Sequence, residues 1–130
     1  MTAVTESGRP ARTALELPAG GGYRDVAGLV IGGIAARFEL PVDRVDDLLL
    51  AVDSVLMQDV AGDTVRIEAD VTATGLVVRL GPFRRGRIDD AALHRVLTRL
   101  VDAVEEVALD GRTGAWLELA VGSHGEGDGT

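Results

Sequence analysis

Apolar and polar positions alternate in several short stretches of the chain, a pattern typical of half-buried β-strands. In residues 64–72 every second position is apolar, and most of the positions between them are charged. Loop residues 73–75 end in glycine and join this stretch to the next one, which predicts a hairpin. The pattern predicts four strands, at residues 13–17, 64–72, 76–80 and 113–121.

Apolar positions spaced by three and four residues predict three helices. The first covers residues 23–38, the second starts at Pro41 and Asp43 and continues to about Val60, and the third follows the capping residues Asp89 and Asp90 and continues to Val107.

The first of these helices is unusual because Gly32 and Gly33 interrupt it. Each glycine inside a helix costs about 1 kcal/mol relative to alanine, so the pair predicts close approach of a neighbouring element. The spacing predicts a buried face made of Val26, Leu29, Val30, Gly33, Ile34 and Phe38.

Three helices and four strands, each with one apolar face, are most simply buried as two layers. We therefore predict an α/β (α+β) two-layer sandwich, with the three helices on one face of a mixed four-stranded sheet. One domain is expected at residues 13–121, between disordered tails at residues 1–12 and 122–130, which lack periodicity.

Composition narrows the chemistry. The net charge is −8, all 13 basic residues are arginine, and there is no cysteine. The absence of cysteine and lysine excludes disulfides, thiolate metal sites, a cysteine nucleophile and any lysine-dependent mechanism. The negative charge disfavours binding to nucleic acid. Neither a membrane-spanning run nor a secretory signal is evident, so a cytoplasmic protein without membrane contact is expected.

Residues 47–58, DLLLAVDSVLMQ, resemble the second-helix motif D-L-x-x-A-V-x-E-x-x-x-N of the anti-sigma factor serine kinases, which belong to the GHKL (histidine kinase-like) ATPase superfamily. The opening strand with LELPA at residues 15–19, the length of the first helix and the element order also fit. The resemblance implies a GHKL fold and a role in bacterial transcription regulation.

The same resemblance implies where a nucleotide site would lie and how it has degenerated. The motif's glutamate, a general base, and its asparagine, a magnesium ligand, correspond to Ser54 and Gln58, and Asp53 does not replace them in any register. The Asp-x-Gly motif that hydrogen-bonds adenine falls at Arg79 and Gly81. The glycine-rich phosphate loop retains one glycine, and the lid is shortened. The resemblance therefore implies a pseudokinase with no catalytic residue and no ATP or Mg²⁺ cofactor.

Other candidate residues have ordinary alternatives. Arg84, Arg85 and Arg87 form a basic loop that is either solvated or a contact for an acidic partner or a phosphoanion, since arginine suits bidentate recognition of such groups. His94 and His124 are too far apart in the sequence to suggest a metal site. Trp116 is expected to pack rather than to bind.

Three functional hypotheses remain. The leading one is a non-catalytic anti-sigma-like regulator that binds a sigma factor or an anti-sigma-antagonist-like protein and can form a homodimer. The alternatives are a divergent ATP-binding serine kinase or ATPase, and a structural or assembly module.

Overall fold

The structure is a computed structural model that describes residues 2–4, 12–58, 60–84, 90–108 and 114–122. It belongs to the α+β class, as the sequence predicts. The elements are β1 (Thr2–Val4), β2 (Arg12–Pro18), α1 (Tyr23–Arg37), α2 (Val42–Leu56), β3 (Thr64–Val71), β4 (Gly75–Phe83), α3 (Ala91–Leu100), β5 (Ala103–Val107) and β6 (Ala115–Gly122).

The sheet corrects the prediction of a mixed, four-stranded arrangement. In the part of the chain that the structure describes, six strands follow the order β1-β2-β3-β4-β6-β5, and every neighbouring pair is antiparallel. One additional strand is β1, which lies inside the segment predicted to be a disordered tail and pairs with β2.

The other additional strand, β5, lies where the third helix was predicted to continue. Helix α3 ends at Leu100, and Val101 already has an extended backbone, with φ −129° and ψ 168°. Val104 and Val107 then pair with Leu119 and Trp116 of β6. The predicted start of this helix is confirmed, because the carboxylate of Asp90 caps it by accepting a 2.9 Å hydrogen bond from the amide of Ala92.

The helices lie against one face of the sheet, and one hydrophobic cluster fills the space between the layers. The sheet contributes alternate residues of its central strands, among them Ile67, Val78 and Leu119, and α2 contributes a continuous apolar stripe. Helices α1, α2 and α3 pack side by side, with α2 in the middle.

The buried face of α1 differs from the prediction. Ala27, Ile31 and Ala35 are fully buried, whereas Val26 is 43% exposed and Leu29 is 77% exposed. Apolar residues surround α1 almost completely, so their spacing does not single out one face. The small side chains of the two alanines let the helix lie close to the sheet.

Two further boundaries differ. Helix α2 ends at Leu56 rather than near Val60, and β4 continues through Gly81 to Phe83 although the Gly-Pro pair was predicted to end it. The β3–β4 hairpin is confirmed, and its turn is held by the hydroxyl of Thr72, which accepts a 3.0 Å bond from the amide of Gly75.

A carboxylate joins the helical layer to the sheet. Asp102 accepts one 2.6 Å hydrogen bond from Arg44 of α2 and another of 2.6 Å from the backbone amide of Gly122. No helix in the described part of the chain is both long and apolar enough to cross a membrane.

Candidate functional site

The residues at the positions of the implied base and metal ligand, Ser54 within α2 and Gln58 just after its end, both bond to carbonyls of α2. Ser54 donates a 2.8 Å hydrogen bond to the carbonyl of Leu50, and Gln58 donates a 3.2 Å bond to the carbonyl of Ser54. Both bonds span one helical turn, which is a common way for such side chains to satisfy themselves locally. These two bonds therefore stabilise the last turn of α2, and neither donor points towards a shared ligand outside the helix.

Asp53 lies on the outer side of α2. Its carboxylate is 3.5 Å from the guanidinium of Arg24 on α1, and both side chains are about half exposed. An exposed pair of this kind contributes little stability, typically below about 1 kcal/mol. The pair also shows how α1 and α2 are aligned, because a residue near the start of α1 meets one near the end of α2.

Tyr23 strengthens the same helix–helix contact. Its hydroxyl donates a 2.5 Å hydrogen bond to the carbonyl of Leu56. Burial raises the pKa of the Tyr23 phenol above its ordinary value, the Arg24 charge lowers it, and the Asp53 charge raises it again.

Arg79 lies on the face of the sheet away from the helices. It is the centre of an ion network in which its Nε donates a 2.8 Å hydrogen bond to Glu118 and its Nη1 lies 3.2 Å from Asp70 and 4.0 Å from Glu68. Arg66 adds a 2.7 Å bond to Glu68. We refer to these five residues as the open-face network.

The register of the sheet explains how the open-face network forms. Glu68, Arg79 and Glu118 are direct neighbours on β3, β4 and β6. Directly opposed residues on adjacent antiparallel strands have β-carbons about 5 Å apart, so a central arginine can reach a carboxylate on either side. Glu68 is only 8% exposed, and its negative charge is balanced by two arginines within the network.

Gly81 has a packing role in this structure. A β-carbon built on it would lie 2.6 Å from Cδ2 of Trp116, closer than side-chain carbons approach one another in proteins. Trp116 is 3% exposed. The indole ring therefore occupies the place that any larger residue at position 81 would need.

The implied nucleotide residues do not come together. Side chains alternate between the two faces of a strand, so Arg79 faces away from the helices, while α2, which contains Ser54 and is followed by Gln58, covers the opposite face. On β4, the positions that face the helices are those of Val78 and Leu80, both fully buried in the core. An aspartate at position 79 would therefore lie on the wrong side of the sheet to share a pocket with α2.

The basic loop is only partly described. Arg84 is exposed, and Arg85 and Arg87 lie outside the described residues, as do the shortened lid and His124. His94 is half-buried on α3. Among the residues that the structure places, no group of three or more histidine, cysteine, aspartate or glutamate side chains is arranged to hold a metal ion.

The sequence reasoning missed two surfaces. One is the open-face network, next to which lies a shallow depression of about 310 Å³ lined by Glu16, Thr64, Arg66, Pro82 and Trp116. The other is a groove between α1 and α2. Alternating charges on the predicted strand at residues 64–72 were a signal for the first, and the excess of apolar residues around α1 was a signal for the second.

No protein-family model matches the chain, and no curated protein matches it in sequence. The resemblance to the anti-sigma factor kinases therefore stays a prediction, as does the GHKL topology that it implies.

Proposed function

We propose that the protein is a non-catalytic, protein-binding regulator of the anti-sigma type, whose partner is a sigma factor or an anti-sigma-antagonist-like protein. The observation that carries this proposal is the position of Arg79. It stands where the resemblance would place an adenine-binding aspartate, yet it points away from the helices and is held by Glu68, Asp70 and Glu118.

The local bonding of α2 supports the same proposal. A kinase site needs a base within hydrogen-bond reach of the attacking hydroxyl, together with a metal ligand next to it. Ser54 has no useful basicity, and both Ser54 and Gln58 donate to backbone carbonyls of α2. A pocket built on these residues would have to break those bonds before it could bind a nucleotide.

The charge of the chain favours a protein partner. With a net charge of −8, the chain repels polyphosphates and phosphate backbones at long range and attracts basic or mixed-charge surfaces. The choice of a sigma factor or an anti-sigma antagonist as the partner rests on the family resemblance and not on a contact in the structure.

Calorimetric titration with ATP and ADP, with and without Mg²⁺, tests the non-catalytic part of the proposal. We expect no measurable heat and no thermal shift up to millimolar nucleotide. Binding would be visible in this assay, because a ligand at a hundred times its Kd stabilises the fold by about 2.7 kcal/mol. Micromolar binding that is weakened by Ser54→Ala or Gln58→Ala would overturn the proposal in favour of a divergent ATPase.

Affinity capture against a panel of sigma factors and anti-sigma antagonists tests the partner. The triple variant Arg84→Ala, Arg85→Ala, Arg87→Ala examines whether the basic loop contributes. The control for the loss of three positive charges is a triple variant at exposed helix positions, Arg37→Ala, Arg95→Ala, Arg99→Ala. If the loop contacts an acidic surface, the loop variant loses at least tenfold in affinity and the control stays within about twofold. Equal losses would remove the loop from the interface.

A further inference from the structure

An exposed apolar groove runs between α1 and α2 on the outside of the helical layer. Its volume is about 480 Å³, and its lining combines Leu29, Leu49 and Val52 with Gly28 and the charged residues Arg24, Asp25 and Asp53. Leu29 forms one apolar wall and is 77% exposed. A large side chain so open to water on a folded domain is a feature of interaction surfaces when it belongs to a continuous patch.

Apolar side chains from both helices line the groove, and further exposed apolar side chains lie on the same two helices. Contacts between Tyr23 and Leu56 and between Arg24 and Asp53 show that α1 and α2 are antiparallel. This alignment places Leu29 and Leu50 at the same level of the pair, and Leu50 is 59% exposed. Of the large apolar side chains that the structure shows as exposed, five of six are on α1, on α2 or at its end: Val26, Leu29, Val42, Leu50 and Met57.

Glycine makes the groove open. A β-carbon at Gly28 would have no atom within 4 Å, and one at Gly32 would be 3.7 Å from Leu49, an ordinary contact. Packing within this chain therefore does not demand glycine at either position, and neither residue has a positive φ. The missing side chains leave space into which another helix can enter.

The rim of the groove is acidic. Asp25 and Asp53 are exposed in its lining, and Arg24, the basic residue there, is paired with Asp53. Such a rim disfavours a second copy of this chain, which would bring like charges together, and it disfavours an anionic lipid surface. It favours an occupant that is apolar along one side and positively charged at its flanks.

We propose that this groove binds a basic amphipathic helix of a partner protein. Apolar residues spaced by three and four positions would contact Leu29 and Leu49, and flanking lysine or arginine residues would reach Asp25 and Asp53. The inference rests on the proposed function as a protein-binding regulator, and it specifies the surface and the chemistry of the partner segment.

The test uses the full chain and a fluorescent 20-residue peptide of leucine and lysine with helical periodicity, together with a scrambled peptide of the same composition. We expect saturable binding of the periodic peptide and at least tenfold weaker binding of the scrambled one. Amide shifts of the 15N-labelled protein should change at Gly28 and Gly32. No binding, or shifts confined to the open face of the sheet, would overturn the proposal.

A pair of matched variants locates the contact. Leu29→Lys places a positive charge in the groove, and Val96→Lys makes the corresponding change on α3, where Val96 is 46% exposed. We expect at least a tenfold loss of peptide affinity for the first and less than twofold for the second, with both variants folded because neither residue is buried. Equal affinities of the two variants would reject the groove.

Gly28→Ala separates binding from stability. Alanine raises helix propensity and meets no neighbouring atom, so the melting temperature should rise by about 4 °C. The same methyl group narrows the groove and should weaken peptide binding by threefold or more. A variant that is more stable and binds the peptide unchanged would contradict the proposed seat of the helix.

Failure of the groove proposal can be distinguished from failure of the proposed regulatory function. Nucleotide binding would be detected by calorimetry whether or not the peptide binds. If a captured sigma-type partner binds the Leu29→Lys variant with unchanged affinity, the protein remains a regulator while the groove is rejected. Light scattering that shows a dimer which Leu29→Lys converts to a monomer would assign the groove to a second copy and also overturn the proposal.

Discussion

Replacing Gly81 with alanine should destabilise the fold by forcing the indole of Trp116 out of its place. The added β-carbon would lie 2.6, 2.8 and 2.9 Å from three ring atoms, whereas ordinary contacts begin near 3.4 Å. The ring is 3% exposed, so it cannot move towards solvent without losing contacts that bury it. Overpacking of this kind costs about 1–3 kcal/mol.

The expected change in melting temperature follows from that cost. For about 100 ordered residues the entropy of unfolding is about 0.2 kcal/mol per kelvin, so a cost of about 2 kcal/mol lowers the melting temperature by about 9 °C. Gly62→Ala is the matched control, because a β-carbon there meets no atom within 4 Å and the backbone does not need glycine. It should be neutral or stabilising by up to about 1 kcal/mol, through its effect on the unfolded chain.

Thermal unfolding followed by circular dichroism measures both variants. Emission of Trp116, the sole tryptophan, reports whether the ring has moved. The double variant Gly81→Ala, Trp116→Phe should recover at least about 1 kcal/mol of the loss, because a smaller ring leaves room for the methyl group. If Gly81→Ala melts within about 2 °C of Gly62→Ala and its emission is unchanged, the packing argument is wrong.

Two further predictions concern charge. Arg79→Met should lower the free energy of unfolding by about 2 kcal/mol, because it leaves three neighbouring carboxylates, Glu68, Asp70 and Glu118, without their shared cation. The control Arg95→Met, at an exposed position on α3, should change the free energy of unfolding by less than about 0.5 kcal/mol. Urea titrations measure both variants. The chain has one tyrosine and neither lysine nor cysteine, so between about pH 9 and 12 the Tyr23 phenol is the side chain that titrates. Because burial raises the pKa of Tyr23 in the folded state, its contribution to stability is complete below about pH 10 and is lost as the pH rises through the folded pKa. Absorbance at the phenolate band should show a midpoint above 10, and the alkaline loss of stability should be absent from Tyr23→Phe; a loss that persists in that variant would refute the assignment.

Local patterns predicted most helices and strands correctly, and they failed where two structures share one pattern. Val101, Val104 and Val107 follow helical spacing, yet the chain leaves the helix at Val101 and forms β5. Three-residue spacing does not distinguish these outcomes, and pairing with β6 decides between them. The wrong buried face of α1 has a different cause: the helix is apolar on nearly all sides, so the spacing of its apolar residues does not single out one face.

The site was less predictable than the fold because it depends on long-range register. Alternating charges on β3 are visible in the sequence, but the neighbours of Glu68 are set by which strands lie beside β3 and in what alignment. The motif in α2 indicated which residues to compare, whereas the direction in which Arg79 points follows from strand alternation that the motif does not encode. Gly81 was interpreted as part of a binding motif, and the structure places it beneath an indole ring.

Strand β5 forms one edge of the sheet, next to β6. Exposed edges invite other strands to add to them, and charged residues are one of the means by which proteins prevent such growth. Glu105 and Glu106 are exposed at the middle of this five-residue strand. Because successive side chains of a strand point to opposite faces, two copies that met symmetrically along β5 would bring two carboxylates together on each face of the junction. The acidic edge thus opposes symmetric pairing of two copies along β5, whereas the other edge of the sheet is formed by β1.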